Sequence, residues 1–157
     1  MDFKNKVVLI TGASSGIGKQ TAIEFAKLGS NIILVARRKD KLEQVENELK
    51  KFNVTTLICT CDVSKKDQVE IMSKTVLEKF NFVDILVNNA GFAIYGSVLD
   101  LSIEEIESQM ETNYFGMIYC TKNFLPLMLK KKSGHIVNVA SVAASFGLPG
   151  IASYCAS

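Results

Sequence analysis

A chain of 157 residues, 48% hydrophobic and 22% charged, suits one globular domain built around a single core. Its 18 basic and 16 acidic residues leave a formal charge of +2. So weak a charge argues against nucleic acid as the main partner, because proteins that bind it usually carry a strong basic stripe. No apolar run reaches the roughly 18 residues of a membrane span. The opening MDFKNKVVLITG is too polar, and its apolar run too short, for a signal peptide, so the expected location is cytoplasmic.

Strand and helix alternate from the start. Residues 6–10 form a short apolar run ending in a glycine-rich turn, which predicts a buried strand. Residues 18–28 predict a helix, with Ala22, Ile23, Phe25 and Ala26 apolar and Gly29 as its C-terminal cap. A second strand covers 31–36. A charged helix follows over 39–52, with Leu42, Val45, Leu49 and Phe52 on one stripe. The third strand (55–61) leads to a helix over 67–80 that turns Val69, Met72, Val76 and Leu77 inward. The fourth strand is 84–88. A long helical stretch over 102–131, broken into a short and a long helix, precedes a fifth strand at 136–140. Residues 150–157 open another helix. Repeated strand–helix–strand units imply a parallel sheet covered on both faces, the doubly wound α/β architecture. The expected strand order is 3-2-1-4-5, with the ligand crevice at the carboxyl ends of the strands where the order reverses.

The four cysteines are Cys59, Cys61, Cys120 and Cys155, and His135 is the only histidine. Cys59 and Cys61 are two apart in a strand and share one face, where bridging is geometrically poor. There is no CxxC pair. The set argues against a zinc site and for free thiols packed as small apolar groups.

The first strand runs into Thr11-Gly12-Ala13-Ser14-Ser15-Gly16-Ile17-Gly18, and then a helix begins. Gly12 allows the sharp turn, Gly16 removes a Cβ so that backbone can approach a pyrophosphate, and Gly18 lets the helix pack on the strand. The helix amino end offers free N–H groups and a positive dipole to phosphates. Three glycines alone would mark only a tight turn; between strand and helix they favour a dinucleotide site. The tip of the second strand indicates the cofactor. NAD binding calls for a carboxylate there to take the ribose hydroxyls, but this strand ends Leu34-Val35-Ala36 and continues Arg37-Arg38. Two guanidinium groups suit a 2′-phosphate, so NADP(H) is favoured over NAD(H).

Further motifs follow in order. Asp62-Val63 stands after the third strand and Asn88-Asn89-Ala90-Gly91 after the fourth. Asn113 lies in the long helix, Ser141 after the fifth strand, and Tyr154 near the start of the last helix. With the glycine turn, this set resembles the short-chain dehydrogenase/reductase family in its single-domain form, along the whole chain. The resemblance implies a Rossmann-type doubly wound parallel sheet. It assigns Gly12, Ser14, Ser15, Gly16, Ile17, Gly18, Arg37 and Arg38 to cofactor binding. Asp62 and Val63 would meet the adenine ring, and Asn89, Ala90, Gly91 and Tyr154 would also meet the cofactor. Asn113, Ser141 and Tyr154 would be catalytic.

The implied chemistry is reduction of a carbonyl compound or oxidation of an alcohol. A tyrosine hydroxyl can donate a proton to a developing alkoxide and its phenolate can take one back. A tyrosine of ordinary pKa, about 10, is a poor base and needs a nearby cation. In the family that cation is a lysine four residues after the tyrosine, one helical turn on. Ser141 would polarise the substrate carbonyl, and Asn113 would hold a water linking the lysine to solvent. Phe92, Ile94 and Tyr95, with Phe146, Leu148 and Ile151, suggest a substrate with an apolar body. Relatives often form homodimers or homotetramers through the long helix and the helix near Tyr154.

The sequence closes Tyr154-Cys155-Ala156-Ser157, and the family lysine would be the very next residue. A point inside a helix just begun is a poor place for a fold to end. It would leave the fifth strand with an apolar exposed edge, because the carboxy-terminal strands of the fold are missing. The expectation is therefore that 1–157 is the NADP-binding, amino-terminal part of a longer single-domain enzyme. The alternatives are a truncated, catalytically impaired nucleotide-binding or scaffold module, and a partner chain that supplies the remainder.

Overall fold

The computed structural model describes residues 2–157. The strands β1 (Val7–Thr11), β2 (Asn31–Ala36), β3 (Thr56–Thr60), β4 (Ile85–Asn88) and β5 (His135–Asn138) form one sheet. Every pairing is parallel, and the spatial order is β3-β2-β1-β4-β5, as the alternation of elements predicts. The connections are α1 (Gly16–Lys27), α2 (Lys39–Leu49), α3 (Lys66–Phe80), α4 (Ile103–Met110) and α5 (Gly116–Lys131), with α6 (Ala152–Ala156) following β5. Among the described residues, no helix is long and apolar enough to cross a membrane.

The continuous apolar run Val7-Val8-Leu9-Ile10 makes β1 a central strand, and all five of its residues are buried. Successive side chains of a strand point to opposite faces, and the core divides accordingly. Val8, Ile10, Ile32, Leu34 and Val87 pack with Ala22 and Ala26 of α1 and with Leu42, Val45 and Leu49 of α2. Leu9, Ile33, Val35 and Leu86 pack on the other face with Val69, Met72 and Val76 of α3 and with Cys120, Phe124 and Met128 of α5. Two helices thus cover each face. The chain winds outward from β1 to β3 in one direction and through β4 to β5 in the other. The order reverses between β1 and β4, and a crevice opens at their carboxyl ends.

The four cysteines are free, and Cys59, Cys61 and Cys120 belong to the α3/α5 half of the core. Burial pushes the Cys59 thiol up to about 11, against the pull of Lys79. Burial, with Asp62 adding to it, pushes Cys61 up to about 12, and burial pushes Cys120 up to about 12. All three are neutral, apolar fillers at physiological pH.

Two helices differ from the sequence expectation in their details. The one predicted over 39–52 leaves the α form after Leu49, tightens into a 3-10 turn at Lys50–Phe52, and stops at Asn53 with φ 54°. The expected break within 102–131 is instead a π turn, Glu111–Phe115, that joins α4 to α5 without interrupting the helical path. α4 starts at a capping box: Ser102 Oγ accepts from the Glu105 N–H at 3.2 Å, and Glu105 Oε2 accepts from the Ser102 N–H at 2.8 Å.

Candidate active site

A cleft of about 920 Å³ lies at the carboxyl ends of the strands. It is lined by Gly12, Ser14, Ser15, Gly16, Ile17, Arg37, Arg38, Asp62, Val63, Asn89, Ala90, Gly91, Asn113, Ser141 and Tyr154. Of the residues expected to bind cofactor or act in catalysis, only Gly18 is absent from its wall; of the apolar residues expected to meet the substrate, Phe92 lines it and Ile94, Tyr95, Phe146, Leu148 and Ile151 do not. Gly18 is buried in the turn, where a Cβ would lie 2.5 Å from both Gly12 O and Asn89 Nδ2. It lets the start of α1 close onto β1.

The glycine turn is built for close approach. Gly12 has φ +66°, and a Cβ there would meet Asn89 Nδ2 at 2.8 Å and Ala90 Cα at 2.9 Å. Gly16 has φ +54° and open space where its Cβ would be. Ser15 precedes α1 but makes no side-chain cap, and the first turn carries no acidic residue. The first N–H groups of α1 therefore face the cleft with neither a cap nor a competing carboxylate, which suits an anion. Arg38 leaves the end of β2 and donates from Nη2 to Ser14 Oγ at 3.3 Å and to Ser15 Oγ at 3.4 Å. A guanidinium thus stands beside the turn. An uncapped helix start, a glycine without a Cβ neighbour and an adjacent arginine together fit the phosphates of a dinucleotide.

Thr11, whose role was not foreseen from sequence, joins the two strand ends at the crevice. Its hydroxyl donates to Val87 O at 3.4 Å and accepts from the Asn89 and Ala90 N–H groups at 2.9 and 3.0 Å. Asn89 Nδ2 donates back to Thr11 O at 2.9 Å. These bonds hold Ala90 and Gly91 over the glycine turn. A threonine at a strand end is common, and nothing in its sequence position marks these three bonds. After β3, Asp62 Oδ1 accepts from the Ser64 N–H and hydroxyl at 3.1 and 2.9 Å, which fixes the turn carrying Val63.

Asn113 sits inside the π turn and not in a regular helix. π turns often accompany functional sites because the extra residue re-aims side chains. Its Oδ1 accepts from the Phe92 N–H at 3.0 Å, and its Nδ2 donates to Phe92 O at 2.9 Å and to Ser157 Oγ at 2.8 Å. Gly91 leaves room for it, since a Cβ there would lie 3.1 Å from Asn113 Oδ1. Ser141 Oγ accepts from the Ala143 N–H at 3.2 Å and so caps the short 3-10 turn Val142–Ala144. Its own proton stays free to donate into the cleft. Tyr154 reaches the cleft from α6.

Residues 6–157 match the family described as short chain dehydrogenase. A dehydrogenase/reductase SDR family protein 7-like protein of Anopheles gambiae is 40% identical over 157 residues, covering 97% of this chain and 50% of its own length. A metagenomic short-chain oxidoreductase solved in complex with NADP superposes with a TM-score of 0.95 at 30% identity, over 99% of this chain and 71% of that one. An NAD+-bound xylitol dehydrogenase superposes at 0.93 with 31% identity, over 98% of this chain and 60% of that one. This chain thus spans between half and about seven-tenths of the length of these proteins. With an ordered parallel sheet, a glycine turn at its switch point and these matches, the chain belongs to the short-chain dehydrogenase/reductase family of oxidoreductases.

Proposed function

We propose that residues 1–157 are the cofactor-binding part of a longer single-domain enzyme that uses NADPH to reduce a carbonyl compound, or runs the reverse alcohol oxidation. The observation that carries this reading is that one cleft is walled on one side by the glycine turn with Arg37 and Arg38, and on the other by Asn113, Ser141 and Tyr154. A nicotinamide cofactor supplies the hydride when bound. The choice of NADPH rests on the Arg38 guanidinium beside Ser14 and Ser15 and on the lack of a carboxylate at the end of β2. A 2′-phosphate gains charge-assisted hydrogen bonds there, and no carboxylate stands at the strand tip itself.

The chain's own groups divide the remaining work. The Ser141 hydroxyl, held through its oxygen by the Ala143 N–H, donates to the substrate carbonyl oxygen and polarises it. The Tyr154 hydroxyl donates the proton that this oxygen takes up, and in the oxidative direction the phenolate takes it from the alcohol. Asn113 holds Phe92 by both its N–H and its carbonyl, so the cleft wall after Gly91 keeps its shape. Phe92 lines the cleft, and Phe146 and Leu148 are exposed on the segment before α6; these apolar surfaces favour a substrate with an apolar body.

The test is NADPH oxidation by the whole gene product against a panel of ketones and aldehydes. Turnover of at least one, abolished by Tyr154→Phe and strongly reduced by Ser141→Ala, supports the reading. Turnover that survives Tyr154→Phe unchanged contradicts it.

A further inference from the structure

Gln109 has no place in the chemistry just described, yet it is the one wholly buried polar side chain of α4, with 0% exposure. Burying a carboxamide is costly unless its hydrogen bonds are made. Here both amide protons and the oxygen have partners. Gln109 Oε1 accepts from the Ile94 N–H at 3.0 Å. Its Nε2 donates to Ser153 Oγ at 2.9 Å and to Glu105 O at 3.3 Å. The backbone N–H of Ile94 can only donate, so the orientation of the amide is fixed by its partner.

The pattern repeats one turn further on. Asn113, four residues along the same helical path, holds the Phe92 backbone on one side and Ser157 Oγ on the other. Residues four apart share a helix face. Phe92 and Ile94 are two apart in the segment after Gly91, and Ser153 and Ser157 are four apart at α6. Two carboxamides therefore form two rungs, each reaching from the segment after Gly91 to the α6 region that carries Tyr154. Tyr154 lies directly beside the serine of the first rung. A third tie, from the Gly96 N–H to Gly150 O at 2.8 Å, joins the continuations of the same two segments.

We propose that Gln109 is a positioning residue for the reaction: through Ser153 and Ile94 it sets the distance between Tyr154 and the segment that runs on from Phe92 in the cleft wall. This rests on the reading of Tyr154 given above. The brace itself can be tested without that reading.

The experiment uses the whole gene product and the variants Gln109→Met, Gln109→Glu, Ser153→Ala and Gln109→Met/Ser153→Ala. Methionine keeps the length and apolar volume and removes every hydrogen bond. Glutamate, which burial keeps protonated, retains an acceptor for Ile94 and a hydroxyl that can donate to Ser153 Oγ or to Glu105 O. If Gln109 positions Tyr154, Gln109→Met lowers kcat by roughly 10- to 100-fold, the scale expected of a small misplacement of reacting groups, and leaves NADPH affinity within about threefold. Gln109→Glu recovers most of kcat. The double variant is no slower than Gln109→Met alone, because both changes break one path. A merely structural role would instead lower stability and scatter the loss between KM, kcat and cofactor affinity without rescue by glutamate. That pattern overturns the proposal, as does a kcat for Gln109→Met equal to that of the unaltered protein. If Gln109→Met does not fold, Ser153→Ala, which leaves the buried amide in place, decides: an unchanged kcat overturns the proposal. Hydrogen exchange of the Ile94 amide reads the brace directly. It is protected in the unaltered protein and fast in Gln109→Met; equal exchange in both overturns the brace even when no carbonyl substrate is found. Absence of all reductase activity together with the expected exchange difference counts against the proposed function and not against the brace.

Discussion

Gly12, Gly16 and Gly18 lie in one turn but answer to different constraints. At Gly18 a methyl group would stand 2.5 Å from the backbone oxygen of Gly12, which cannot move without opening the turn. Gly18→Ala is expected to cost about 2–3 kcal/mol in stability, as overpacking does, and denaturant unfolding would show it. At Gly16 nothing lies within 4 Å of a Cβ, and the backbone has φ +54°. Gly16→Ala is expected to cost about 1 kcal/mol of left-handed strain, while the methyl group occupies the approach a phosphate would need. NADPH affinity should therefore fall by more than stability does; unchanged affinity would mean that the turn does not hold phosphate. The buried thiols give a pH dependence. Burial raises Cys59, Cys61 and Cys120 from 9.0 to about 11, 12 and 12 in the folded state. Above pH 9.0 the unfolded chain ionises these thiols while the folded one does not, so the unfolded state binds fewer protons and stability falls as pH rises. The stability they contribute is whole below 9.0 and is lost up to about 12. Unfolding free energy measured across that window should decline, and Cys120→Ala should flatten the decline.

The helices α4 and α5 show where sequence reading reaches and where it stops. The start of α4 is legible, because Ser102 with Glu105 three residues later is a capping box and the hydrogen bonds confirm it. Ser102→Ala removes that cap and is expected to cost about 1 kcal/mol, visible as a lowered Tm. The π turn at Glu111–Phe115 is not legible, since one extra residue per turn leaves no mark in composition and only blurs the periodicity. Its consequence is felt at both ends. Asn113 is turned toward Phe92, and Gly116 comes against Val63, where a Cβ would lie 2.8 Å from Cγ2. The Val63 side of the cleft and the helix leaving the Asn113 turn are thereby in contact. Single residues such as Asn113, Ser141 and Tyr154 could be picked out because, in order with the other motifs, they resemble the family's pattern. The hydrogen bonds that brace the site, from Ala90 to Thr11, from Gln109 to Ser153 and from Asn113 to Ser157, join segments far apart in the chain and were not visible there.

At the scale of the molecule, the alternation of strand and helix was enough to give the sheet order, because parallel strands joined by right-handed crossovers leave few arrangements. Two helices on each face and a reversal of order at β1 then place the cleft without reference to any motif. β5 is an edge of this sheet, with Val137 45% and Val139 41% exposed, as its apolar sequence implied. Periodicity gave the position of the cleft, but which dinucleotide fills it depends on the charges at the end of β2. Both NADP and NAD+ occupy structurally similar proteins. The most direct test is therefore a titration of the whole gene product with NADPH and with NADH at one ionic strength, repeated with Arg38→Ala. One or two charge-assisted hydrogen bonds to a 2′-phosphate should make NADPH bind roughly tenfold or more tighter, and Arg38→Ala should erase most of that difference. Equal affinities, or tighter binding of NADH, would contradict the NADP assignment; binding of neither would contradict the dinucleotide site itself.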